Sequence, residues 1–308
     1  MARAARPAAD ADLLRAHDRL VTRIGSYTYE IASTPDGPVY SVTDSAASTT
    51  LPLAWAFGAG EIGQTYVLEE HGTFQESRIS FYSTLRALDL TLGHRPPAPG
   101  DLRAALGRPM AASETRRCFG CHTTASSTSN RFDPARLIPG VTCEACHGPG
   151  ARHVAAMRRG ANQAGLKLIL DPARLGPVDL VDFCGACHRA SWDVLLAQTT
   201  GVETVRFQPY RLEKSKCWGA GDARFTCIAC HDPHKPLVRD AALYDQRCLS
   251  CHVTAQAPKA PGHRGAACPV SSKNCVTCHM PKVEIPGAHA QFTDHLVRVA
   301  RANAPYPN

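Results

Sequence analysis

Aromatic side chains are scarce in this chain of 308 residues, only 6%, which is thin for a protein that must fill a core from its own residues. Long apolar runs are missing as well: no stretch approaches the length a membrane-crossing helix needs. The start, MARAARPAADADLL, lacks the hydrophobic segment of an export signal. No run of Lys and Arg exceeds two residues, so the formal charge of +7 does not form the patch of a nucleic-acid binder. The first 110 residues hold no cysteine. All 14 lie beyond them, too many for an ordinary cytosolic enzyme.

What is present follows one pattern. Two cysteines bracket two residues, and a histidine follows at once, at Cys118-Cys121-His122, Cys143-Cys146-His147, Cys184-Cys187-His188, Cys227-Cys230-His231, Cys248-Cys251-His252 and Cys275-Cys278-His279. C-x-x-C-H is the attachment signature of c-type haem. Each thiol adds across a porphyrin vinyl group to form a thioether, and the histidine coordinates the iron as its proximal ligand. Zinc knuckles also use C-x-x-C pairs, but zinc does not require a histidine after every pair. With 14 histidines in 308 residues, six such coincidences have a chance on the order of one in a hundred million. A disulfide framework has no need of the histidine either. Six covalently attached haem c groups are therefore expected.

These haems account for the other oddities. Porphyrins supply apolar surface where aromatics are few. An oxidised haem with ionised propionates carries about one negative charge, so six bring the formal +7 near neutrality and full reduction takes it to about −5. Covalent haem attachment is a chemistry of the exported side of the membrane. We expect a periplasmic or cell-surface protein whose signal peptide is not present in this chain.

Two regions are distinguishable. Residues 1–110 read as a small β-rich domain with one leading helix, Ala11–Ile24, where Leu13, His17, Leu20 and Ile24 share a stripe. Alternating runs follow at Ser26–Ala32, Val39–Thr43, Leu51–Phe57, Thr65–Glu70 and Thr73–Tyr82, separated by turns such as Pro35-Asp36-Gly37 and His71-Gly72. They predict an antiparallel meander. His94–Gly100 reads as a linker, and a short helix is expected around Asp101–Leu106. Residues 111–308 form the haem domain. Its motifs start 25, 41, 43, 21 and 27 residues apart, too unevenly for a solenoid. Short helices and loops are expected there, with one longer helix over Gln291–Ala302 carrying Phe292, His295, Leu296 and Val299 on one face. The fold class is α+β and loop-rich.

Electron-transfer haems need a second axial ligand. Only four methionines exist, so histidine is the natural supplier. Six candidates are His17, His94, His153, His234, His289 and His295. His234, three residues after His231, cannot reach the far face of its own iron, and if it ligates it serves a neighbouring haem. His153 makes the same argument after His147. His17, His94 and His289 read about equally well as ligands and as ordinary side chains. His71 and His263 read as solvated loop residues. Cys217 and Cys268 lie outside every motif, either as a disulfide or as two separate thiols.

The stretches GVTCEACHGPGARH at 140–153, TCIACHDPH at 226–234, and NCVTCHMPK at 274–282 with FTDH at 292–295 resemble multihaem c-type cytochromes of the cytochrome c-554-like, doubled-CXXCH group. The resemblance covers most of residues 115–300. It implies that His153 and His234, and by likeness His295, act as distal ligands of neighbouring haems. It also implies extracytoplasmic electron transfer with other redox proteins. No C-x-x-C-K of the related nitrite reductases occurs, and no motif identifies a tyrosine cross-link. The expectation is thus a hexahaem carrier of single electrons, mostly bis-histidine, with no catalytic residue. Self-association into a filament, with His17 as donor to the next subunit, is a variant. The alternative is a multihaem oxidoreductase acting on a small nitrogen or sulfur compound at one open-site haem.

Overall fold

Alternation of apolar and polar residues over the first ninety positions produces strands, as period-2 burial requires. In the computed structural model, which describes residues 1–94, 99–219, 224–252 and 268–301, these form a nine-stranded antiparallel sheet. Its members are β1 Ala5–Pro7, β2 Arg19–Ile24, β3 Tyr27–Thr34, β4 Gly37–Thr43, β5 Ser48–Phe57, β6 Gly63–Glu70, β7 Thr73–Tyr82, β8 Ala87–Leu90 and β9 Gly107–Pro109. Strands β2 to β8 pair in sequence order, β1 adds to β5, and β9 adds to β7. The meander is as expected. Strands β2 and β8, at the two ends of the path, pack close together, which curls the sheet into a nearly closed barrel.

Tyr29, Ile31, Tyr40, Val42, Tyr66, Leu68, Ile79 and Phe81 face the barrel interior, joined by Leu14 and Leu106 from the helices α1 (Asp12–Arg15) and α2 (Leu102–Leu106). Asp101 caps α2 by accepting the Ala104 N–H at 2.7 Å. A register shift in β5 between Leu53 and Trp55 separates two faces: Leu53 and Ala56 join the inner core, Trp55 and Phe57 an outer cluster.

Two expected helices do not form over the residues expected. The leading helix stops at Arg15, and Arg19–Ile24 pairs instead with Tyr27–Ala32 across a turn at Gly25, whose φ is +62°. The β-branched Val21, Thr22 and Ile24 suit a strand, and a partner strand outweighs the helical spacing. The last helix is also missing. Gln291–Thr293 pairs with Lys282–Glu284, and no helix follows among the described residues up to Arg301. Ladder bonds and the side-chain contacts of Asp294 described below override the periodicity there.

By its contacts the chain divides into two units: Met1–Leu170 with Pro286–Ala290, and Asp171–Ile285 with the residues from Gln291 onward. Beyond the sheet the first unit holds the helices α3 Ala112–His122, α4 Cys143–His147, α5 Ala151–Arg158 and α6 Asn162–Leu166. The second holds α7 Pro177–His188, α8 Ser191–Ala197, α9 Gln208–Glu213, α10 Lys216–Gly219, α11 Cys227–Cys230, α12 Ala242–Leu249 and α13 Cys275–His279. The architecture is α+β: a β-rich N-terminal region followed by short helices and coil. Residues 95–98 of the expected linker, and His263, lie outside the described residues.

Candidate haem attachment sites

Five of the six motifs begin on, or lie wholly within, a helix that ends at or near the histidine, and the fifth motif begins on α12 and runs past its end. One helical turn places residues three apart on the same side, so both thiols of each pair address one edge of a group. Between the third pair of cysteines the chain needs room: a Cβ on Gly185 would lie 2.8 Å from the Ala190 Cβ. Glycine there lets the chain fold back directly after His188.

In the first unit, α3 lies on the outer face of the barrel. Phe119 is fully buried, with its ring centre 5.1 Å from Trp55, 5.1 Å from Phe57, 5.3 Å from Phe74 and 4.7 Å from Phe132. Cys118 packs in the same cluster, and burial pushes its thiol up to about 11. The second motif is joined to the end of the first. Thr124, two residues after His122, accepts the backbone N–H of Thr142 at 2.9 Å through its hydroxyl and donates to the Gly140 carbonyl at 2.9 Å. Thr142 is the N-cap of α4, which carries Cys143, Cys146 and His147. A cleft of about 460 Å³ beside His147 is lined by Arg152, Lys167 and Leu168 among others, two of them cations suited to carboxylates such as propionates.

The second unit brings four motifs into contact in chain order. Cys184 and Cys227 share a thiol hydrogen bond, which pushes the Cys184 thiol down and the Cys227 thiol up. Helix α12, which carries the start of the fifth motif, packs against both α11 and α13. Asp245, three residues before Cys248, accepts the backbone N–H groups of Asn274 at 2.7 Å and Cys275 at 2.9 Å, and so caps α13. These bonds hold its carboxyl below the usual range. Helices α7, α11, α12 and α13 pack in that order to match.

The histidine rings are anchored in a way that bears on metal binding. Nδ1 of His122 donates to the Ala4 carbonyl at 3.1 Å, Nδ1 of His147 to Leu170 at 2.7 Å, and Nδ1 of His279 to Arg298 at 2.6 Å. A carbonyl only accepts, so the proton is on Nδ1 and the lone pair of the neutral ring is on Nε2. Three of the expected second ligands share this arrangement: His17 with Leu13 at 2.9 Å, His153 with Gly165 at 2.9 Å and His295 with Thr293 at 3.0 Å. His94 and His289 are held from the opposite nitrogen. Their Nε2 atoms lie 3.2 Å from Glu76 and 2.8 Å from Asp89. His234 is exposed, with Nδ1 3.6 Å from Asp232, and His71 is exposed at the β6–β7 turn with φ +51°. No disulfide joins Cys217 to Cys268.

His295 and His231 meet although far apart in the chain. Their ring centres are 6.2 Å apart. A ring nitrogen lies about 2.0 Å from a bound metal, so two rings with centres this far apart are near enough to share one. Burial pushes His295 down to about 4 and lowers His231. Among the described residues, no three His, Cys, Asp or Glu side chains converge on one point as a protein-only metal site would require. The thiol pairs with anchored histidines, and this ring spacing, fit haem c.

Comparison with known proteins agrees with that chemistry. The family described as Cytochrome c554 and c-prime matches residues 101–148. The match supports a c-type cytochrome with covalently bound haem. It spans α2, α3 and α4, and so includes the first two motifs and the threonine contacts that join them. No curated protein and no solved structure matches the chain. No helix among the described residues is long and apolar enough to cross a membrane. Sequence reasoning missed Thr124, Asp245, Arg211 and Ser215. Only the Thr142-Cys143 junction carried a local signal, an N-cap residue just before a motif.

Proposed function

We propose that the chain is a hexahaem c-type cytochrome that passes single electrons along closely spaced haems between redox partners outside the cytoplasm. When bound, haem c supplies an iron that cycles between the ferric and ferrous states. The protein's part is to fix the attachment points, supply axial nitrogens and keep neighbouring sites close. The observation that carries the reading is the contact order of the motifs. First meets second through Thr124 and Thr142; third meets fourth, fourth meets fifth and fifth meets sixth through the packing of α7, α11, α12 and α13 and through Asp245. A solitary catalytic haem would not call for such a series of neighbours, whereas electron hopping does.

In this reading His122, His147, His188, His231, His252 and His279 are proximal ligands. His231 and His295, whose ring centres lie 6.2 Å apart, would together hold the fourth iron. His153 and His17 present the same nitrogen as His295 to second positions. His94, His234 and His289 complete the set, and the first and last of these must exchange or share a carboxylate contact to do so. The deciding experiment is mass spectrometry of the mature protein with potentiometric titration and ferric spectra. Six haem additions, successive one-electron steps and spectra unmoved by cyanide or nitrite are the expected result. Fewer additions, or a high-spin iron that binds nitrite and turns it over, would replace electron transfer by the oxidoreductase reading.

A further inference from the structure

His295 follows a three-residue strand and lies in a segment with no regular secondary structure of its own. Its backbone is nevertheless held at several points. Asp294 is fully buried and takes a bidentate contact from Arg211, Nε to Oδ1 at 2.8 Å and Nη2 to Oδ2 at 2.8 Å. Arg211 is itself 1% exposed, on α9, and also reaches Thr204 at 3.4 Å. The Asp294 N–H donates to the Pro281 carbonyl at 3.0 Å, and its Oδ1 accepts the Leu296 N–H at 3.0 Å. Just after α9, Ser215 donates to the His295 carbonyl at 3.2 Å and accepts the Val297 N–H at 2.8 Å.

A buried ion pair is a weak device for stability, because desolvating two charges offsets much of their attraction, and apolar replacements often serve as well. What it does supply is geometry: the planar guanidinium fork accepts a carboxylate in one orientation. Here that orientation fixes the residue directly before His295, and Ser215 fixes the peptide groups on its other side. We propose that Arg211, with Asp294 and Ser215, is a clamp of positioning residues that sets His295 opposite His231 as an axial ligand. The inference rests on the axial-pair reading given above.

The test uses the full haem-loaded chain and counts high-spin ferric irons by electron paramagnetic resonance, with added imidazole as the probe. His295→Ala is expected to show one more high-spin iron per chain than the wild type, converted to low-spin by imidazole. Arg211→Met and Asp294→Asn are expected to show the same gain, and Ser215→Ala a fraction of it. Arg211→Lys, which cannot make the fork, should fall between wild type and Arg211→Met. A merely structural role would lower resistance to urea without changing the iron count. If His295→Ala leaves the count unchanged, the axial-pair reading fails and the clamp with it. If His295→Ala gains the iron but Arg211→Met does not, the clamp alone is overturned. Should Arg211→Met and Asp294→Asn not accumulate, Ser215→Ala decides: no high-spin fraction there overturns the clamp.

Discussion

Removing the ring of Phe119 tests whether the β-barrel carries the first haem site. The side chain is fully buried between Trp55, Phe57, Phe74 and Phe132, on the helix that presents Cys118, Cys121 and His122. Phe119→Ala exposes no new polar group, so its cost comes from two effects. Losing the buried ring forfeits about 2 kcal/mol of transfer free energy. A cavity of roughly 100 Å³, at about 24 cal/mol per Å³, adds about 2 kcal/mol if the neighbours do not collapse. The total of about 4 kcal/mol lies within the range usual for Phe→Ala in a core. With an m-value of about 2 kcal/mol per M, the urea midpoint of the barrel should fall by about 2 M. Far-UV circular dichroism follows the sheet, and absorbance follows the haem attached to α3. Both signals should move together, since the same side chain joins them. Val270→Ala, at a residue 88% exposed, is the control and should stay within about 0.5 kcal/mol of wild type. A Phe119→Ala shift under about 0.5 M would refute the packing argument. A haem signal that melts without the sheet would refute the coupling.

Three further outcomes follow from named contacts. Asp245→Ala should loosen α13 and the sixth haem. Because the native carboxyl titrates below its usual value, the cap's contribution is present above the unfolded value of about 4 and is lost as pH falls through the native one, so wild type and variant should converge in acid unfolding curves once the native carboxyl is protonated. Thr124→Val removes the acceptor for the Thr142 N–H while keeping the shape; an unsatisfied buried group should cost about 1–3 kcal/mol in urea denaturation, with the first two haems changing their spectra together. Changing Cys184 and Cys187 together to Ala should leave a mature protein lighter by one haem, as read by mass spectrometry, with electron flow through the other motifs of that unit slowed in stopped-flow reduction.

The chain's meander and its haem-binding chemistry are local properties, and they are legible in the residues. Period-2 runs such as Val39–Thr43, buried at alternate positions within β4, need only their own alternation to commit to strands. Local reasoning failed where two patterns competed. Leu20 and Ile24 satisfy both a helical stripe and the buried side of a strand, and pairing with Tyr27 and Ile31 chose the strand. Phe292, His295 and Leu296 also suited a helix, but the ladder to Val283 and the buried Arg211–Asp294 contact took precedence. The candidate second ligands were legible only as a set of spare histidines. For some of them, which ring nitrogen is presented depends on a carbonyl or carboxylate brought from elsewhere, as at Gly165 for His153 and Asp89 for His289.

The sequence by itself determined where haem would attach, because each pair of cysteines and the histidine after it lie within five consecutive residues and need no distant partner. It also determined that histidines are numerous enough to serve as second ligands. Tertiary structure alone decided which attachment points are neighbours and which histidine faces which. The His231–His295 pairing, the Asp245 cap on Cys275 and the Arg211 grip on Asp294 join residues far apart in the chain, and only the folded backbone brings their atoms within hydrogen-bonding or ring-contact range.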